Sequence, residues 1–183
     1  MSLTASFFAR PAPEVARELI GCTLRLGGVG GAIVETEAYT ADDPASHSFI
    51  GERPRNRAMF GPPGRAYVYR SYGIHWCFNI VCADAGAVLI RALEPRFGMD
   101  EMVARRGLSD LRLLCSGPGR VAQALGIDIG HDHAPLDQSP FEIDAAAGAV
   151  EIICGPRIGI SKAVEVPWRF GLAGSRFLSR KFG

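Results

Sequence analysis

Between Tyr67 and Asn79 the chain reads YVYRSYGIHWCFN, which sets three tyrosines, a tryptophan and a histidine on a narrow run of alternating pattern interrupted by Gly73. Such alternation predicts two strands, Tyr67–Tyr72 and Trp76–Ala83, folded back on each other as a β-hairpin with side chains falling by turns on opposite faces. Tyr, His and Trp combine a flat stacking face with a polar handle. They suit a planar ligand that also hydrogen-bonds, and a nucleobase is such a ligand. An ordinary half-buried strand would also favour Tyr and Trp, so the hairpin has to be weighed with the rest of the chain.

Before the hairpin, Pro11, Pro13 and the following EVARELIG predict a short helix with Val15, Leu19 and Ile20 on one face and Gly21 at its end. Cys22–Leu26 and Gly31–Tyr39 read as strands, with Gly27, Gly28 and Gly30 in the turn between them. The spacing of these glycines matches neither a dinucleotide fingerprint nor a P-loop. A polar loop from Thr40 leads into an Arg-rich stretch and the turn GPPG. After the hairpin comes a strand over Ala87–Glu94 that stops at Pro95, then helical spacing over Met99–Arg106 and Pro118–Leu125. Beyond Ile127 a polar loop with Pro135 and Pro140 gives way to short strands. With no internal repeat and no linker, residues 1–183 are expected to form a single domain. Its expected class is α+β: a curved antiparallel sheet, partly open and barrel-like, with a protruding β-hairpin and a few packed helices.

A chain of 183 residues with 48% hydrophobic content has enough apolar surface for one full core. No apolar run approaches the ~18 residues of a membrane span, and no secretory signal opens the chain, so a cytoplasmic location is expected. Cys22, Cys77, Cys82, Cys115 and Cys154 are odd in number and contain no Cys-x-x-Cys pair, which predicts reduced core thiols rather than a disulfide framework. The net charge of +1 conceals a segregation. Arg53, Arg55, Arg57, Arg65 and Arg70 face only Glu52 between Gly51 and Trp76, and Arg157, Lys162, Arg169, Arg176, Arg180 and Lys181 face only Glu165 beyond Cys154. Asp128–Glu151, by contrast, has six acids and no Lys or Arg. Two basic segments are the footprint of a phosphate binder, and scattered solvated charge is the alternative.

Glu35, Glu37 and Tyr39 share one parity on their strand and hence one face. A carboxylate beside an aromatic at a strand end can serve as a general base in a ring-lined pocket. It can equally sit on a solvent-facing strand edge. His131, Asp132 and His133 are the only metal-ligand cluster by spacing, in what reads as a solvated loop. Arg91 stands among Val88, Leu89, Ile90, Ala92 and Leu93 and so needs a counter-ion or an anion in a cleft. Asn79, between Phe78 and Ile80, needs a hydrogen-bond partner, and a backbone edge is the simplest.

Seven ordered motifs, IVETEAY from Ile33, SHS at Ser46, PRNRAMF from Pro54, YVYRSYG from Tyr67, CFNI from Cys77, LIRALEP from Leu89 and LCSGPGR from Leu114, together resemble the alkyladenine (3-methyladenine) DNA glycosylase family of the mammalian type, which also occurs in bacteria. The resemblance runs from about Ala16 to the C-terminus. It implies that Glu37 is the general base that activates water, with Arg91 helping to hold that water. It implies that Tyr39, His47 and Tyr69 sandwich an extruded base, that Asn79 rejects normal guanine, and that Tyr72 fills the gap left in the duplex. Less closely matched are the main chain near Leu172, as a further water contact, and Ser175, as a DNA contact in the tail. The pattern departs at His75, at Ala87 and in a short Tyr39–His47 loop, which bears on substrate breadth and grip.

The function implied by the resemblance is that of a DNA-repair enzyme that flips alkylated purines out of damaged double-stranded DNA and hydrolyses the N-glycosidic bond to leave an abasic site. No cofactor and no metal are implied, nor an obligate protein partner or a membrane; a monomer associated with the bacterial nucleoid is expected. No lysine stands at a nucleophile position within the motifs, so no Schiff base is expected. Two rivals remain at this level: a non-catalytic stacking platform for nucleic acid, and a hydrolase of free nucleosides.

Overall fold

In the computed structural model, which describes residues 1–183, one long strand organises the sheet. This is β2 (Val29–Tyr39), joined to β1 (Thr23–Leu26) by a tight turn at Gly27 and Gly28, both at positive φ. Along one side β2 pairs with β5 (Ala87–Phe97) from Gly30 to Tyr39. Along the other side two partners share it: β1 takes Val29–Ala32, and β8 (Arg169–Leu172) takes Glu35–Glu37. The expected hairpin is present as β3 (Ala66–Ser71) and β4 (His75–Val81), docked through β4 onto β5. At the far edge β6 (Phe141–Asp144) pairs with β1, and β7 (Ile152–Gly155) pairs with β8. The strand order β3-β4-β5-β2-β1-β6, with β8 and β7 branching from β2, is antiparallel throughout and its ends do not meet, so the α+β architecture is as expected and the sheet does not close into a barrel.

Gly30 and Pro95 both fall inside strands, unlike the sequence expectation, and both placements have steric causes. Gly30 lies in β2 rather than in the turn, because strand backbones press on both it and Gly31. A Cβ at Gly30 would stand 1.9 Å from the Leu24 carbonyl oxygen, and one at Gly31 would stand 1.9 Å from that of Glu94. The register slips between those two glycines, and it is opposite that irregularity that β5 runs on through Pro95 to Phe97 instead of stopping at Glu94. A proline is tolerated where the ladder is already broken. Further slips on either side of Glu35 bend β2 where its partner changes from β1 to β8.

Five helices cover one face: α1 (Ala5–Phe8), α2 (Ala12–Glu18), α3 (Met99–Arg106), α4 (Leu111–Leu114) and α5 (Pro118–Leu125). The helix expected after Pro11, and those over Met99–Arg106 and Pro118–Leu125, are all present. Val15, Leu19 and Ile20 are buried as one face, while the single-turn helices α1 and α4 are too short to leave a periodic signal. Strand parity divides the sheet. Ala66 and Val68 of β3, Phe78 and Ile80 of β4 and Val88 and Ile90 of β5 join the main core together with α2 and α5 residues. Each fully buried Leu, Ile or Phe there contributes about 1.5–3 kcal/mol. Residues of opposite parity, Tyr67, Tyr69, Cys77, Asn79, Leu89 and Arg91, turn to the face away from the α-helices.

Four of the five cysteines are buried, and burial pushes the thiols of Cys82 and Cys115 up to about 12. Cys154 is exposed, contrary to the expectation of five core thiols, because β7 pairs only with β8 and nothing covers its outer side. No helix is long and apolar enough to cross a membrane.

Candidate active site

The face of the sheet away from the α-helices is one wall of a groove of about 970 Å³. From β2 comes Glu37, fully buried, its carboxylate held on both oxygens: the Tyr39 hydroxyl donates to Oε2 at 2.8 Å and the Ile158 main-chain N–H donates to Oε1 at 2.7 Å. Arg91, reaching across from β5, places Nη1 3.5 Å from Oε2. Glu37 and Glu35 share a face as their spacing implies, but it is a buried face and not a solvent edge. The loop residues Ile158–Lys162 form the facing wall. Nothing in the sequence singles out Ile158, because no side-chain pattern marks a main-chain donor that arrives from 121 residues away.

The aromatic lining is continuous. His47 and Tyr69 meet edge to face with ring centroids 4.6 Å apart, so they act as one wall, and Tyr67 backs them 5.5 Å from Tyr69. A hydrogen bond of 2.8 Å between His47 Nδ1 and the Tyr67 hydroxyl orients the imidazole. Burial lowers the His47 pKa below the usual 6.5, with Arg55 adding to the effect, and raises the Tyr39, Tyr67 and Tyr69 hydroxyls well above the usual 10. For Tyr39 the neighbouring Glu37 carboxylate reinforces the burial effect. At neutral pH the rings are therefore uncharged π surfaces. Asn79 donates from Nδ2 to the Tyr67 carbonyl at 3.1 Å, the backbone partner expected of it, and turns the amide into the groove.

Tyr72 stands at the hairpin tip, 88% exposed, and lines the same groove as Glu37. Its φ of 50° and the 69° of Gly73 put two successive residues in the left-handed region, which lets the Ile74 N–H close the turn onto the Ser71 carbonyl at 3.1 Å. A non-glycine residue there is sterically disfavoured, and the Ser71–Ile74 β-turn, which has positive φ at both central positions, imposes it.

Arg55, Arg70 and Lys162 line the groove and are exposed. Two other cations of the basic segments are not surface groups at all: Arg157 pairs with Asp43, and Arg169 with Glu35, all four buried. The C-terminal basic segment is thus partly structural. Ser175 lies in the turn after β8, accepting from the Phe177 N–H at 3.2 Å, and neither it nor Leu172 lines the groove. Asp132 accepts from the Val68 N–H at 2.8 Å and pins β3, while His131 turns back to Asp128 at 3.1 Å. The acidic residues Glu142 and Asp144 sit on β6, at the sheet edge opposite the hairpin, against Arg25.

Lined by neutral rings, cationic at its mouth and carrying the anchored Glu37 carboxylate beside Arg91, the groove has the character of a site that processes bases of nucleic acid. The family model described as methylpurine-DNA glycosylase (MPG) matches residues 6–176. A protein of Rhodopseudomonas palustris strain HaA2 is 62% identical over 98% of this chain and 91% of its own length. One from Rhizobium meliloti strain 1021 is 61% identical over 96% of this chain and 95% of its own, and one from Nitrosospira multiformis is 60% identical over 100% and 96%. All three are provisionally named 3-methyladenine DNA glycosylase. The chain belongs to the methylpurine-DNA glycosylase family.

Proposed function

We propose that this chain excises alkylated purines such as 3-methyladenine from damaged duplex DNA by extruding the nucleotide into the aromatic groove and hydrolysing its base–sugar bond without a covalent enzyme intermediate. As a member of its family the chain is a DNA glycosylase, an enzyme of DNA repair. The observation that carries the finer reading is that Glu37, buried and held by Tyr39 and Ile158, shares one groove with the exposed Tyr72 ring.

The chemistry asks little of the leaving group. An N3- or N7-methylated purine is already cationic, and the electrons of its bond to C1′ neutralise it as it departs. Glu37 takes a proton from a water whose oxygen bonds to C1′, and its charge offsets the positive charge growing on the sugar ring. Arg91, 3.5 Å from Glu37, helps place that water. The products are a free base and an abasic site.

Selection begins before the chemistry. Extrusion costs a few kcal/mol and costs less at a damaged pair. The neutral rings of Tyr39, His47 and Tyr69 then favour a cationic base by a cation–π contribution of about 0.5–2 kcal/mol. Arg55, Arg70 and Lys162 hold the flanking phosphates, so binding weakens steeply as salt rises. The direct test is incubation with methylated duplex DNA: free methylated purines are released, and strands break only after alkali. Strand cleavage without alkali, or release of no base, overturns the proposal.

Tyr72 occupies the space the base vacates. Loss of one stacked ring costs about 1–3 kcal/mol, so Tyr72→Ala weakens lesion-duplex binding about 5- to 150-fold. The ranking of lesions by excision rate stays as it was, because the ring lies outside the pocket that reads the base. Titration of duplexes carrying several different lesions measures both quantities, and undiminished affinity removes Tyr72 from the extrusion step.

A further inference from the structure

Glu35 is a fully buried and densely coordinated carboxylate, and the role proposed for Glu37 and Arg91 leaves it without a task. Its Oε1 accepts from Arg91 Nε at 3.2 Å, Arg169 Nε at 2.8 Å and the Ser179 hydroxyl at 2.8 Å, while Oε2 accepts from the Ser179 main-chain N–H. Arg169 continues to the Arg180 carbonyl and lies under the Phe182 ring, 3.9 Å from its centroid. Phe182 in turn lies so close to Gly171 that a Cβ there would come within 2.5 Å of it. The last residues of the chain are therefore threaded onto the carboxylate next but one to Glu37.

Arg91 is where this arrangement meets the groove. Its Nε is bound by Glu35, its Nη2 donates to the Ser179 hydroxyl at 3.4 Å, and only Nη1 is left facing Glu37. A guanidinium is a rigid planar fork, so fixing two of its nitrogens fixes the third. Two carboxylates, Glu35 and Glu37, and two guanidiniums, Arg91 and Arg169, make a buried cluster with no net charge.

We infer that Glu35 and Ser179 form a positioning device through which the C-terminal tail sets the Arg91 guanidinium against Glu37. Neither touches the reacting atoms; each acts through Arg91. The inference rests on the role proposed above for Arg91 and Glu37 and adds to it that the site is incomplete without the tail. Arg176, Arg180 and Lys181 on that tail are exposed, so the segment that aims Arg91 also carries cations available to phosphate.

The test separates rate from affinity. Single-turnover excision and lesion-duplex Kd are measured for the full chain, for Ser179→Ala, Ser179→Thr and Glu35→Gln, and for a chain ending at Leu178. Misplacing a catalytic group by about 1 Å costs up to ~100-fold in rate. Ser179→Ala and Glu35→Gln should lose roughly tenfold to a hundredfold in rate with a far smaller change in Kd, while Ser179→Thr, which keeps the hydroxyl, retains the rate. If the truncated chain fails to fold, the three substitutions decide alone. A rate for folded Ser179→Ala equal to that of the unaltered chain, or loss in Ser179→Thr matching that in Ser179→Ala, overturns the inference. Absence of excision by the unaltered chain would instead overturn the activity proposed for it, so the two failures are distinct.

Discussion

Glu37→Gln is expected to lower single-turnover excision about 10²- to 10⁴-fold, the range for loss of a general base, while the protein still binds lesion-bearing duplex. The groove gives the reason for both halves. In the proposed mechanism recognition rests on the rings of Tyr39, His47 and Tyr69 and on Arg55, Arg70 and Lys162, all of which line the groove and none of which the substitution removes. Proton acceptance, in that mechanism, rests on one carboxylate. An amide also cannot accept on both of its terminal atoms: with its oxygen kept on the Ile158 N–H, its NH2 faces the Tyr39 hydroxyl, which has to turn from donor to acceptor and lose the bond it donates, at a cost of about 1–3 kcal/mol in stability. A thermal melt alongside the excision assay keeps that loss apart from the loss of chemistry. Excision by the unaltered chain that is lost in Glu37→Gln while binding is retained also separates the enzyme from a non-catalytic stacking platform, which would release no base with or without this carboxylate. Excision unchanged in Glu37→Gln would remove the residue from the mechanism.

Much of this site is legible in the order of residues because it is written in strand parity. Once YVYRSYGIHWCFN is taken as a hairpin, Tyr67, Tyr69, Cys77 and Asn79 fall on one face and Val68, Phe78 and Ile80 on the other, as observed. Glu35 and Glu37 share a face by the same rule. What parity cannot convey is which face is buried and by what. The partners of Glu35 lie 56, 134 and 144 residues away, and Arg157 meets Asp43 across 114 residues, so their pairing depends on β8 and the tail folding back onto β2. That is why Arg157 and Arg169, close in sequence to exposed cations, read as phosphate contacts when they are buried ion-pair partners. A bulge such as the one around Glu35 leaves no mark in composition, and the main-chain donor at Ile158 leaves none in side-chain pattern.

Asp43→Ala is expected to destabilise the fold by about 3–5 kcal/mol, more than any surface change, because it strands a guanidinium inside the protein. Asp43 binds Arg157 through both carboxylate oxygens, and the two side chains are 3% and 0% exposed. Arg157 further donates to the Ala38 carbonyl at 2.9 Å and lies over the Tyr39 ring, 4.7 Å from its centroid, with Trp168 nearby at 5.6 Å. The pair thus ties the loop that delivers the Ile158 N–H to the loop that leaves β2, immediately behind Tyr39. For a chain of this length the loss corresponds to a Tm lower by something on the order of 6–20 °C. A buried pair is costly to break and far less costly to replace whole, since removing both charges also removes their desolvation penalty. The double variant Asp43→Ala, Arg157→Met should therefore be more stable than Asp43→Ala alone, although it carries one more substitution. Denaturant unfolding of the two variants reads the sign directly, and a double variant less stable than the single one would show that Arg157 is held by its carbonyl and ring contacts rather than by its counter-ion.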